Sequence, residues 1–174
     1  ELPPQLYDLT DLQRDMNRRH GLSADATLKA AQALYEDKLI TYPRTDSRYL
    51  TSDLKGQVPG LLEDLRPLQP EAIGRLDLGA LAFTGRLVND AKVRDHHAIL
   101  PTGKHPGELP PAQRKVFDAV VIRLIAAFYP ACVKEVTVVD GESNAVPFRA
   151  RGVRVLQPGW TVMYPARADD KKAE

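Results

Sequence analysis

The stretch that decides the fold runs from Pro110 to Asp140 and reads PPAQRKVFDAVVIRLIAAFYPACVKEVTVVD. In its first part Val116, Phe117, Val120, Val121, Leu124, Ile125 and Phe128 recur at three- and four-residue steps, which gathers them on one side of a helix. The Pro110-Pro111 pair suits the start of that helix, where amides lack intrahelical partners, and Pro130 stops it. After Pro130 the period changes. Val136 to Val139, Val146 to Val155 and Trp160 to Tyr164 read as strands, with turns expected at Asp140-Gly141 and Pro158-Gly159. A mainly α-helical part followed by short antiparallel β-strands makes an α+β chain. The expected divisions are a helical domain over 1–132, a β segment over 133–166 and a charged tail over 167–174 that frays.

Upstream of this stretch the pattern is helical. Thr10 followed by Gln13 forms a capping box for a first helix carrying Leu9, Leu12 and Met16, with Asp11–Arg14 and Asp15–Arg18/Arg19 pairs on its wet side. Gly21 ends it. Ser23 opens a second helix with Asp25 in its first turn, and Leu28, Ala31, Leu34 and Tyr35 as its buried stripe. Leu39 to Tyr42 is β-prone and halts at Pro43, so Arg44 to Ser47 reads as a loop. Thr51 or Ser52 caps a third helix through Leu61, Leu62 and Leu65 to Pro67, and a weaker helical pattern lies between Glu71 and Val88.

Composition excludes several classes. The 174 residues suffice for a real core, and 14 Pro with 11 Gly is too little for a collagen-like or low-complexity chain. Lys and Arg total 24 against 23 Asp and Glu, so bulk charge names no partner. One cysteine, Cys132, supports neither an internal disulfide nor a thiolate metal site, which suits a reducing compartment such as the cytoplasm. No apolar run approaches the roughly 20 residues of a membrane span. The sequence starts Glu1-Leu2-Pro3-Pro4, without Met or a leader, and is expected to be a segment of a longer protein.

Two stretches could do chemistry. In Tyr42-Pro43-Arg44-Thr45-Asp46-Ser47 the tyrosine by itself reads as a half-buried strand residue, but its company suits a phosphate. Arg44 offers a planar fork of donors to a phosphodiester, and the Thr45 and Ser47 hydroxyls could add neutral contacts. The competing reading of Arg44 is a surface ion pair with Asp46. The second stretch is Arg94-Asp95-His96-His97-Ala98-Ile99-Leu100-Pro101-Thr102. Adjacent histidines on an extended chain face opposite ways, so one of them points into any given site. A turn with two exposed histidines is the bland alternative. Metal binding lacks partners at ligand spacing, because His20 and His105 are distant and no Cys or acid is suitably placed.

Residues 39–50, Leu-Ile-Thr-Tyr-Pro-Arg-Thr-Asp-Ser-Arg-Tyr-Leu, resemble the active-site tyrosine motif of type IA DNA topoisomerases. Residues 95–102, Asp-His-His-Ala-Ile-Leu-Pro-Thr, resemble a second motif of that family in its topoisomerase III form, and the two follow in the family's order and separation. The likeness extends over nearly residues 3 to 165. It implies that Tyr42 attacks a single-strand phosphodiester and keeps the 5′ phosphate, that Arg44 stabilises charge on the scissile phosphate, and that His96 contacts DNA phosphate nearby. Thr45, Ser47, Arg48 and Arg94 would complete the DNA-binding set. A phenol is almost wholly protonated near neutrality, so a nucleophilic tyrosine needs positive neighbours or a base.

The resemblance also implies what lies elsewhere. Family members hold Mg²⁺ in a separate Toprim domain through an acidic cluster with an Asp-x-Asp element. This sequence has no Asp-x-Asp, the nearest approach being Asp140 and Glu142. Mg²⁺ is thus expected in the complete enzyme with ligands outside this chain, and no metal site here. Expected partners are single-stranded DNA and the Toprim and remaining gate domains of the same polypeptide, with no membrane. By the same likeness 1–132 corresponds to the movable helical domain bearing the tyrosine and 133–166 to part of the arch, with Arg149, Arg151 and Arg154 a solvated or DNA-facing fringe. The isolated segment is then expected to be inactive. Two rival readings differ in class. A non-catalytic DNA-binding module would use the helix pair near the N-terminus, but its second helix offers just Lys29 and Lys38 to a groove. A tyrosine recombinase places its tyrosine after a His-x-x-Arg element, whereas Tyr42 precedes His96 and the residue three beyond His96 is Ile99.

Overall fold

A computed structural model describes residues 1–164, so the tail at 167–174 and the last two positions of the 133–166 segment lie outside the described residues. The chain divides into two compact units, Pro4–Phe128 and a second made of Glu1–Pro3 with the chain from Tyr129 onward.

In the first unit, α1 (Leu9–His20) begins two residues earlier than the Thr10 box suggests, because the Asp8 carboxylate accepts the amide of Asp11 at 2.6 Å and caps the helix itself. Gly21 closes it at φ 66°, the left-handed position a side chain disfavours. Ser23 caps α2 (Ala24–Glu36) as expected. The buried face of α2 is Thr27, Ala30, Ala31 and Leu34, which turns Leu28 to the margin and leaves Tyr35 39% exposed. Small residues face inward because α2 packs closely against both α1 and the long helix further on.

The helix expected over 51–67 is split. A 3₁₀ turn at Ser52–Gly56 precedes α3 (Val58–Asp64), since Pro59 has no amide to give to a preceding turn and fits only at a helix start. Of the pattern between Glu71 and Val88 just α4 (Pro70–Gly74) forms, and three glycines at 74, 79 and 85 account for the failure to propagate. Helix α5 (Pro111–Ala127) matches its expectation, with Val116, Phe117, Val120, Val121, Leu124 and Ile125 buried and Phe128 half-buried, edge-on to Phe83 at 5.3 Å.

Asp15 corrects another expectation, since its pair with Arg18 and Arg19 is not on the wet side. Its carboxylate is buried, accepts the phenol proton of Tyr7, and meets Arg18 and Arg19 at 2.8 Å and Arg123 of α5 at 3.1 Å. Arg123 also lies 3.8 Å from the Tyr7 ring centre. Burial favours the protonated acid, but the hydrogen bonds from Tyr7 and Arg18 and the charge of Arg19 outweigh it and bring the pKa down to about 2.

In the second unit β1 (Val133–Ser143) pairs antiparallel with β2 (Val146–Gln157). The turn is not at Asp140-Gly141, which lies inside β1, but at Asn144-Ala145, both at positive φ (51° and 64°) as a tight two-residue hairpin requires. Gly141 has a packing role instead, because a Cβ there would run into the Phe148 ring across the ladder. The expected strand at 160–164 is a 3₁₀ turn, Gly159–Met163. Gly159 adopts φ 53° with the carbonyls of Pro130 and Ala131 where a Cβ would sit, and Trp160 donates its amide to Pro130 at 2.9 Å. The described residues are thus α+β, with five α-helices and one two-stranded antiparallel sheet.

Candidate active site

The two chemistry-bearing stretches lie side by side in the first unit. Thr41 donates its amide to Leu100 at 2.8 Å and returns its hydroxyl oxygen to the Leu100 amide at 2.9 Å. Ile40 forms an isolated antiparallel bridge with Pro101, all that remains of the expected strand at 39–42. Pro101 explains the brevity, because it has no amide to continue a ladder.

Beyond Tyr42 the loop is held from below by its own hydroxyls. Thr45 donates its hydroxyl to the His96 carbonyl at 2.9 Å, across 51 positions of sequence, and accepts the Ser47 amide at 3.1 Å. Ser47 donates to the Lys92 carbonyl at 3.1 Å and accepts the Tyr49 amide at 3.2 Å. Both side chains are buried and their protons are committed to the protein. They sit beneath the surface on which Tyr42, Arg44 and His96 stand.

Of the expected residues, the structure brings the Tyr42 and His96 rings together. The Tyr42 ring, half-buried, lies 4.4 Å from the His96 ring and 5.3 Å, edge-on, from Tyr35. Arg44 is exposed, and among the described residues neither it nor Asp46 makes a side-chain ion pair or hydrogen bond, so the Arg44–Asp46 pair does not form. His96 is exposed while His97 turns the other way, its Nδ1 2.7 Å from the Ala98 carbonyl. The His97 side lines a cavity of about 460 Å³ with Thr41, Leu61, Asp64 and Leu100.

Arg48 and Arg94 line a polar pocket together. Arg48 is clamped by Asp8 at 2.7 Å and Asp11 at 3.1 Å, tying the loop to the cap of α1, whereas Arg94 is exposed. Tyr35 was not legible as a site residue because it was assigned to the buried stripe of α2. Its signal is that Thr27, Ala30, Ala31 and Leu34 complete that stripe without it. No group of three or more His, Cys, Asp or Glu side chains capable of holding a metal ion occurs among the described residues.

The DNA topoisomerase family pattern matches residues 1–174. Proteins named DNA topoisomerase 3 from Shouchella clausii and Bacillus subtilis are 40% and 41% identical over 98% of this chain. The chain spans 24% of the length of each, about a quarter. In fold it is similar to full-length topoisomerase I from Thermotoga maritima, with a TM-score of 0.64 at 22% identity over 95% of this chain and 28% of that one. A tyrosine loop stitched to the segment that carries His96, in a chain this similar to its relatives along almost its whole length, is accounted for by descent: the chain belongs to the DNA topoisomerase family, in its type IA, topoisomerase III-like branch.

Proposed function

We propose that this chain is the tyrosine-bearing part of a DNA topoisomerase that changes DNA topology by cutting and resealing one strand. Tyr42 is the nucleophile. Its phenol gives up a proton and its oxygen forms the bond to the phosphorus of a single-strand phosphodiester, the bond to the 3′ oxygen breaks, and the 5′ phosphate stays on the protein. The 3′ oxygen takes up a proton and returns by the reverse step to reseal the strand. Arg44 meets the non-bridging oxygens with a charge-assisted fork, which suits charge that grows as the phosphoryl group transfers. His96 adds a second phosphate contact from the segment fastened beside the loop. Thr45 and Ser47 act by position, holding the loop, and Tyr35 buttresses the Tyr42 ring.

The observation that carries this reading is the contact of the Tyr42 ring with His96 beside the exposed Arg44. Two groups suited to one phosphate meet although they come from distant stretches, and Arg44 follows Tyr42 by two residues on the open edge of the same loop. On this reading Mg²⁺ and the groups that serve the leaving oxygen belong to other domains of the complete enzyme, and no step is routed through a metal on this chain. The hairpin of β1 and β2 is the contribution of this segment to the arch.

The test is a denaturing-gel search for a protein–DNA adduct on labelled single-stranded DNA. The complete topoisomerase carrying this segment is expected to form the adduct with Mg²⁺, and Tyr42→Phe to abolish it without loss of folding. An adduct that persists in Tyr42→Phe sinks the choice of nucleophile. An adduct formed by the 174-residue chain alone sinks the division of labour between domains.

A further inference from the structure

From Tyr42 to Ser47 exposure alternates, with Pro43, Thr45 and Ser47 buried and Arg44 and Asp46 open, so one edge of the chain faces solvent. The hydroxyls of Thr45 and Ser47 fasten residues 92–96 alongside it. This two-stranded strip has a nucleophile end, at Tyr42 and His96, and a far end. The far end opens into a polar pocket of about 430 Å³ lined by Gln5, Asp46, Arg48, Tyr49, Lys92 and Arg94.

Around the pocket Arg48, Lys92 and Arg94 face Asp8 and Asp46, an excess of one positive charge, and the exposed Lys92 and Arg94 are the cations that Asp8 and Asp11 do not hold. Lys92 donates to the Tyr49 phenol oxygen at 3.1 Å and stands 5.0 Å from its ring centre. Hydrogen bonds from Gln5 and Lys92 and the nearby charges of Lys92 and Arg86 lower the pKa of that phenol, a sign of positive potential at the pocket.

We propose that this pocket is a second phosphate subsite, which grips a backbone phosphate of the same single strand that Tyr42 holds, at most about 25 Å along the extended chain from the nucleophile. The inference rests on the reading of Tyr42 as the nucleophile. Lys92 and Arg94 supply the charge and Tyr49 a hydroxyl and one ring edge. Such contacts position a strand and are indifferent to its sequence. A strand anchored at two points keeps its reacting phosphate in register when one contact lets go.

The experiment is an amide NMR titration of the full 174-residue chain with the octathymidylate (dT)₈ at low salt. Shifts are expected in two clusters, at 42–45 with 96 and at 49, 92 and 94. The double variant Lys92→Ala/Arg94→Ala is expected to weaken binding by about fivefold or more while the shifts at 42–45 persist, and Lys92→Arg/Arg94→Lys to restore affinity because the charge returns. Shifts confined to the Tyr42 cluster, with unchanged affinity in the double Ala variant, would overturn the subsite and leave the reading of Tyr42 standing. Shifts confined to the pocket would overturn the idea of one strand gripped at both ends and count against Tyr42 as the place where DNA is held.

Discussion

Among single residues Asp15 has the clearest physical consequence. It is a buried carboxylate facing Tyr7 and three arginines, and neutralising it removes the negative charge that this buried cluster is built around. Asp15→Asn is therefore expected to cost about 3 kcal/mol, read as a fall in the urea midpoint of the chain. Because its folded pKa is depressed to about 2, the folded state holds Asp15 ionised where the unfolded chain would protonate it. Its contribution is present above about pH 4 and disappears as pH falls through about 2. The wild-type midpoint should drop across that window more than that of Asp15→Asn, and equal slopes would refute the assignment. None of this was legible in the spacing of Asp15 with Arg18 and Arg19, which looks like any solvated helix pair. The partners that make it a buried node, Tyr7 and Arg123, come from distant sequence. The two stretches that meet at Tyr42 and His96 were singled out by their residue combinations and by a family resemblance, not by spacing, which leaves a strand tyrosine and a turn histidine equally open. That Thr45 and Ser47 hold backbone carbonyls was not legible, because a hydroxyl serves a phosphate or a carbonyl equally well and burial decides which.

Elements differ in how far local pattern governs them. Helix α5 was readable from end to end, since two prolines bracket it and its apolar face is long enough to outweigh any competing arrangement. The helix expected at 51–67 and the turn expected at Asp140-Gly141 failed because one proline or glycine has two meanings. Pro59 starts a helix where it was read through, and Gly141 makes room for Phe148 where it was read as a turn. The true turn carries a cost that can be removed. Ala145 sits at φ 64°, a left-handed conformation in which its Cβ crowds the carbonyl oxygen. Ala145→Gly is expected to stabilise the hairpin by about 1 kcal/mol, visible as slower amide exchange along β1 and β2 with α5 unchanged. Faster exchange in the hairpin would contradict the turn assignment.

For the whole molecule, a formal charge of +1 means that binding to nucleic acid rests on a local patch and not on an overall field. With about three phosphate contacts, from Arg44, Lys92 and Arg94, the logarithm of the affinity for single-stranded DNA should fall against the logarithm of salt with a slope of about −2. A fluorescence titration across salt concentrations measures it, and a flat line or a preference for duplex would refute the patch. The bond from Thr45 to the His96 carbonyl has a mechanical meaning as well. It couples the Tyr42 loop to the segment that carries His96, so a displacement of one is passed to the other. If Tyr42 is the nucleophile proposed above, a DNA end joined to it would travel like a load strapped to its own carrier, with the histidine still alongside when it returns to the break.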